Sequence, residues 1–354
     1  MSTIDHKSKC IKYHGRTAVF DPIDARFFNW SGAGFEFRFN GTKASAKIVI
    51  GDVNEPVPAE NDRAYLGVFV DGSIYETARF ALNKNCDSYI LTEDLPCGEH
   101  KVRVVKETEM WYGRAGLVEI TCDGEFLPLT DDKSKKIEFI GDSLTCGYGN
   151  ICSNGSPDFS TREENFSNTF AAISSRILDC DISVVAASGN GFFHDYGCNT
   201  VNLIPELYEY TDKVFSGHLG IEPEKWNFKK DKCDAVVIKL GPNDSQYCFM
   251  ADLPETERTE EIKAERKKAF EEAAYRFFMR IIEVRPDIPI LFIYDEDLSL
   301  KAECVSAAMK TGKVETFAYP SKKEYEGVGA NGHYSAYTHA RVAKILAEKL
   351  KEML

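Results

Sequence analysis

Along the first third of the chain, apolar and polar residues alternate in short runs at Gly34–Asn40, Ser45–Ile50, Tyr65–Val70 and His100–Lys106. A period of two belongs to strands with one buried face. Asn40-Gly41 and Val70-Asp71-Gly72 punctuate these runs as hairpin-type turns. No helical period appears before about residue 130, so residues 1–130 are expected to form an all-β, jelly-roll-like sandwich. Leu129 to Lys136 is charged and polar and reads as a linker. Beyond it, nearly continuous apolar runs at Ile137–Ile140, Ile182–Ala187, Ala235–Leu240, Ile290–Tyr294 and Val314–Tyr319 alternate with helical patterns. In the clearest helix, Glu257 to Val284, Ile262, Ala269, Phe270, Ala273, Phe277 and Ile281 recur at three- and four-residue steps, and Arg285-Pro286 ends it. Strands apolar throughout are buried on both faces. Residues 131–354 are therefore expected to form a three-layer α/β/α domain on a parallel sheet, with its functional loops at the carboxyl ends of the strands.

Composition narrows the function. A chain of 354 residues fits two domains at ~150 residues each. The net charge of −13 runs against nucleic-acid binding and against an anionic membrane surface. Met1 to Arg16 lacks the apolar run of a secretory signal, and no stretch approaches the ~20 apolar residues of a membrane helix. The expected location is cytoplasmic. Eleven cysteines without a C-x-x-C pair are expected to be mostly reduced and buried, and no metal or other cofactor is implied.

The chemistry concentrates where strands end. Ile137 to Ile140 runs straight into Gly141-Asp142-Ser143-Leu144, which puts Ser143 at a strand's carboxyl end before a helix amino terminus. Ser143 there suits a nucleophile, or simply a helix cap. Thr145 takes the place of the second glycine of a G-x-S-x-G elbow. A serine hydroxyl needs a base. Among seven histidines, His333 lies in the glycine-rich loop Gly329 to Ser335, and His194 is the rival, following Phe192-Phe193. An oxyanion needs fixed donors. Gly189 in Ser188-Gly189-Asn190-Gly191 and Asn243 in Gly241-Pro242-Asn243-Asp244 can supply them, with Gly191 a second candidate. Trp111-Tyr112 and Phe192-Phe193 could stack on sugar rings or pack internally.

Gly-Asp-Ser-Leu, Ser-Gly-x-Gly, Gly-x-Asn-Asp and a late loop histidine, in that order, resemble the SGNH or GDSL hydrolases. Gly141-Asp142-Ser143-Leu144-Thr145-Cys146-Gly147-Tyr148-Gly149, the exit segment Lys106-Glu107-Thr108-Glu109 and the preceding sandwich resemble carbohydrate esterase family 2 more narrowly. The resemblance implies an esterase that removes O-acetyl groups from xylan- or mannan-type glycans, the hexose 6-position included, without a metal. It implies Ser143 as nucleophile, His333 as base, and Gly189 and Asn243 as oxyanion donors. Trp111, Tyr148, Phe192 and His194 are expected to contact substrate. Two departures stand out. Ala330 and Asn331 replace the usual aspartate before the histidine, which leaves the Asn331 amide oxygen to orient the imidazole. Gly332 stands where an aromatic often precedes it. The expected partner is an acetylated oligosaccharide, imported and stripped inside the cell, and the sequence assigns no oligomeric state. The alternatives are a glycan-binding protein with weak or lost catalysis, and a short-chain lipase or thioesterase on the same fold.

Overall fold

The computed structural model describes residues 1–51, 56–129, 135–153, 155 and 158–354. In the first part, two antiparallel sheets face each other. One runs in the order Ala18–Phe20, Ala25–Phe27, Gly116–Cys122, Ala44–Val49, Cys86–Thr92, with Ser2–Asp5 also on Gly116–Cys122. The other runs Glu125–Leu127, Gly34–Gly41, Gly98–Lys106, Tyr65–Val70, Ala78–Ala81, with Ile11–His14 also on Gly34–Gly41. Alternation decides which side chains meet: Phe35, Phe37, Phe39, Leu66, Val68, Val102 and Val104 from one sheet share a core with Ala46, Ile48, Leu117 and Ile120 from the other.

Asp71 (φ 52°) and Gly72 (φ 74°) turn Tyr65–Val70 back onto Ala78–Ala81, a hairpin as expected. Asn40-Gly41 does not form one. The strand before it and the strand after it, Ala44–Val49, lie in different sheets, because both must turn their apolar faces to the same core from opposite sides.

The second part holds a parallel sheet of β1 (Lys136–Gly141), β2 (Asp181–Ala186), β3 (Ala235–Lys239), β4 (Ile290–Asp295) and β5 (Val314–Tyr319), in the order β2-β1-β3-β4-β5. Successive residues point to opposite faces and are covered on both. Ile137, Phe139, Val184, Val237 and Leu291 pack against α2 (Phe170–Ile177) and α5 (Ala336–Lys351). Ile140, Val185, Val236, Ile238 and Phe292 pack against α3 (Glu260–Val284) and α4 (Lys301–Thr311). The helix α3 starts three residues later than its apolar period, because the Thr259 hydroxyl caps it by accepting from the Ile262 N–H at 3.2 Å. The strand order reverses between β1 and β3, where ligand crevices form in open α/β sheets.

Most of the predicted linker, residues 130–134, lies outside the described residues. Polar side chains strap the two parts together. The buried Arg16 guanidinium donates to the Tyr208 and Tyr210 carbonyls at 2.6 Å each and faces Glu138 at 3.4 Å. The Trp30 indole donates to the Thr211 carbonyl at 2.8 Å, and Asn29 to Asp212 at 2.7 Å. Each would cost stability if left without its partner. Seven of the eleven cysteines are buried, and none forms a disulfide. Among the described residues, no helix is long and apolar enough to cross a membrane.

Candidate active site

β1 delivers Gly141-Asp142-Ser143 to its carboxyl end, and there the one-turn helix α1 (Ser143–Cys146) begins. Asp142 caps it, its carboxylate accepting from the Leu144 N–H at 3.0 Å, while the Thr145 and Cys146 N–H groups take its carbonyl. The Ser143 N–H meets no protein acceptor among the described residues. Its Oγ lies 2.9 Å from His333 Nε2.

The imidazole is held by backbone. His333 Nδ1 lies 3.0 Å from the Ala330 carbonyl, which also accepts the His333 N–H at 3.1 Å. A carbonyl can only accept, so the proton sits on Nδ1 and Nε2 is bare toward the serine. Asn331 does not take the orienting role expected of it: with φ at 51° its side chain turns away and its amide donates to the Tyr148 hydroxyl at 3.2 Å. Burial lowers the His333 pKa below its ordinary 6.5, against the Ala330 bond and the Asp142 charge, which raise it. The charge of Asp142, in the turn of Ser143 itself, thus works against the effect of burial on the imidazole.

The histidine loop rests on the segment after α1. The Ala330 N–H donates to the Gly149 carbonyl at 3.0 Å, and the Ala336 N–H to the Asn150 carbonyl at 2.9 Å. Gly149 has φ +57°, and a Cβ there would lie 2.3 Å from the Ala330 Cβ. Only glycine allows this approach.

Two further strand ends complete the site. Beyond β2, Gly189 leaves its N–H without a protein acceptor among the described residues. Beyond β3, one hydrogen of the Asn243 amide anchors on the Asn190 carbonyl at 2.7 Å, which leaves the other for a ligand. Asp244 ties the loops together by accepting from the N–H groups of Phe192, Phe193 and His194 at 2.8–2.9 Å. Burial still pushes its pKa up to about 7. Gly191 serves packing instead, since a Cβ there would lie 2.2 Å from the His194 carbonyl oxygen. The Ser188 N–H is bound by Glu109 at 2.6 Å. Asp244 and Glu109 were not singled out from the sequence, although Gly-Pro-Asn-Asp and the exit segment contain them.

The expected substrate contacts divide. Trp111 is 38% exposed, donates from its indole to the Ser188 carbonyl at 3.3 Å, and lines a cleft of about 380 Å³ beside Gly189 with Tyr196, Asn199 and Asn202. Tyr148 leans on the imidazole with ring centroids 4.6 Å apart and stacks on Phe159 at 3.8 Å. That aromatic neighbour of the histidine does not come from the position before it, and nothing in the sequence around Phe159 marks it out. Phe192 and His194, also expected to contact substrate, do not line this cleft. Phe192 is buried among Phe270, Phe277, Phe278 and Phe292, and His194 is buried and stacked on Tyr247 at 3.5 Å.

Among the described residues, Glu109, Cys146 and Glu164 form the one group that could offer three ligand atoms to a cation, within 4.8 Å of one another. The buried Lys106 ammonium already brings positive charge to Glu109 and Glu164.

Comparison with known proteins follows the same lines. The model of the carbohydrate esterase 2 N-terminal domain matches residues 13–129. Cellulase/esterase CelE of Acetivibrio thermocellus is 29% identical over 99% of this chain, which spans 40% of that protein's length. Acetylxylan esterase / glucomannan deacetylase of Cellvibrio japonicus is 22% identical over 99% of this chain and 91% of its own length. The structure of a family two carbohydrate esterase from Clostridium thermocellum in complex with cellohexaose superposes with a TM-score of 0.81 at 27% identity, covering 97% of this chain and 98% of that one.

Proposed function

We propose that this chain, which resembles the family 2 carbohydrate esterases of the SGNH/GDSL type over nearly its whole length, is a serine esterase that removes O-acetyl groups from xylan- or mannan-type oligosaccharides. The observation that carries the reading is the 2.9 Å approach of Ser143 Oγ to an imidazole nitrogen whose ring partner is held by the Ala330 carbonyl.

In this mechanism Ser143 Oγ attacks the acetyl carbonyl carbon while His333 Nε2 takes its proton. The oxyanion is met by the Ser143 and Gly189 N–H groups and the second Asn243 amide hydrogen. The imidazolium returns the proton to the departing sugar oxygen, and the acetyl group stays on Ser143. Water, deprotonated by the same nitrogen, then releases acetate.

Support for a sugar leaving group comes from the cleft beside Gly189, whose walls combine Trp111 and Tyr196 with the polar Asn190, Asp195, Asn199 and Asn202. Aromatic faces with amide neighbours suit a sugar ring better than a long acyl chain. The Ala330 carbonyl weakens the case for a non-catalytic glycan binder, which rested on Asn331 standing where an aspartate is usual. The reading includes a division into residues 1–130 and 131–354 and a reducing, cytoplasmic setting, supported by eleven cysteines without a disulfide. Nuclear magnetic resonance of acetylated manno- and xylo-oligosaccharides before and after treatment tests it. Acetyl signals should vanish with the wild type and persist with Ser143→Ala; equal loss with both would refute it.

A further inference from the structure

Away from the serine, a second cleft of about 380 Å³ opens between the two parts of the chain. Its walls come from the outer face of the sheet containing Gly98–Lys106, namely Glu36, Phe69, Lys101, Arg103 and Val105, and from α2 and its flanks, including Phe166, Ser175, Arg176 and Ile182. Ser143, Gly189, Asn243 and His333 do not line it.

Cation placement sets this cleft apart. Three cationic side chains line it, against the carboxylates of Glu36 and Asp179, in a chain of net charge −13. The Glu36 carboxylate is already engaged, by His14 at 3.2 Å and Lys101 at 3.3 Å. Arg103 pairs with Glu36 in the strand register, yet its guanidinium forms no hydrogen bond and no ion pair within 4 Å among the described residues. Arg176, whose charge feels that of Arg103, spends one nitrogen on the Ser167 carbonyl at 2.8 Å. Ser175 also lines the cleft; it is 2% exposed, and its hydroxyl has no partner among the described residues. Glu36 and Glu107 meet the charges of Arg103 and Arg176 at a distance, but donors on both guanidiniums and the Ser175 hydroxyl stay unspent among the described residues, beside the apolar Phe69, Val105, Phe166 and Ile182.

We propose that this interdomain cleft binds an acidic sugar, a monosaccharide-sized molecule whose carboxylate or phosphate bridges Arg103 and Arg176 while its C–H face rests on the phenylalanines. Planar guanidiniums accept both head groups as bidentate partners. The site is independent of the esterase reading.

Calorimetric titration of the full chain with glucuronate, glucose 6-phosphate and uncharged glucose tests it. At least one anionic sugar should bind, glucose should not, and Arg103→Met should weaken binding about tenfold or more while melting temperature and 4-nitrophenyl acetate hydrolysis stay at wild-type values. Arg103→Lys, which keeps charge but not the fork, and Ser175→Ala should each weaken it in part, and they carry the test if Arg103→Met does not fold. Binding of glucuronate alone identifies a uronate, and binding of the phosphate alone a sugar phosphate. Failure of both anions to bind, equal binding of glucose, or indifference to the Arg103 and Ser175 variants overturns the proposal.

Discussion

The two ends of the Ser143–His333 pair are built in opposite ways. On the nucleophile's side, regular structure does the positioning: a buried strand, an aspartate cap and a helix turn present one oxygen. On the base's side there is an irregular loop in which a main-chain carbonyl holds the ring and a glycine contact supports that carbonyl. The contrast separates two ways of holding a catalytic group. A side-chain device is written in residue types. A backbone device depends on where the chain runs, and any residue at position 330 brings the same carbonyl.

Variants can break this contrast, and their expected effects fall in order. Ser143→Ala and His333→Ala should each reduce kcat for acetate release by about 10⁴-fold or more, since both ends serve one proton transfer. Asn243→Ala should cost about 10²-fold in kcat through the lost oxyanion donor. Gly149→Ala, which touches no reacting atom, should cost about tenfold to a hundredfold by displacing Ala330 and with it the ring; a near wild-type rate would show that the loop does not lean on Gly149.

Asp142→Asn keeps a capping side chain but removes the charge that favours the imidazolium. In the proposed mechanism neutral imidazole is the base, so activity should be present above the His333 pKa and lost as pH falls through it. The wild-type acid limb should lie below 6.5, and Asp142→Asn should move it lower still, read from kcat/KM against pH. A limb that rises on losing Asp142 would sink this role. Asn331→Ala should change kcat by no more than about twofold, because its amide meets Tyr148 and not the imidazole. A large loss there would restore the side-chain device.

The same division decides what was legible in the residues. The five parallel strands and α3 follow from apolar runs and a three-to-four-residue period, and the sandwich from alternation. The Asn40-Gly41 turn was misread because local turn chemistry does not say to which sheet the next strand belongs. Ser143, Gly189, Asn243 and His333 stood out because each follows a strand or glycine-rich loop. Where Phe192 and His194 point was not legible, because an aromatic pair after a strand looks alike whether it faces a ligand or, as Phe192 does, four phenylalanines. The Ala330 carbonyl and the Tyr148–Phe159 stack left no trace in residue type, since both arise from loops meeting in space.

The central claim is that the main chain sets the tautomer of His333 while burial holds its basicity down. Nitrogen-15 chemical shifts of the histidines, followed against pH in the free protein, measure both at once. The account predicts a neutral His333 protonated at Nδ1 and bare at Nε2, titrating below 6.5. A proton on Nε2, or a titration above 6.5, would contradict it.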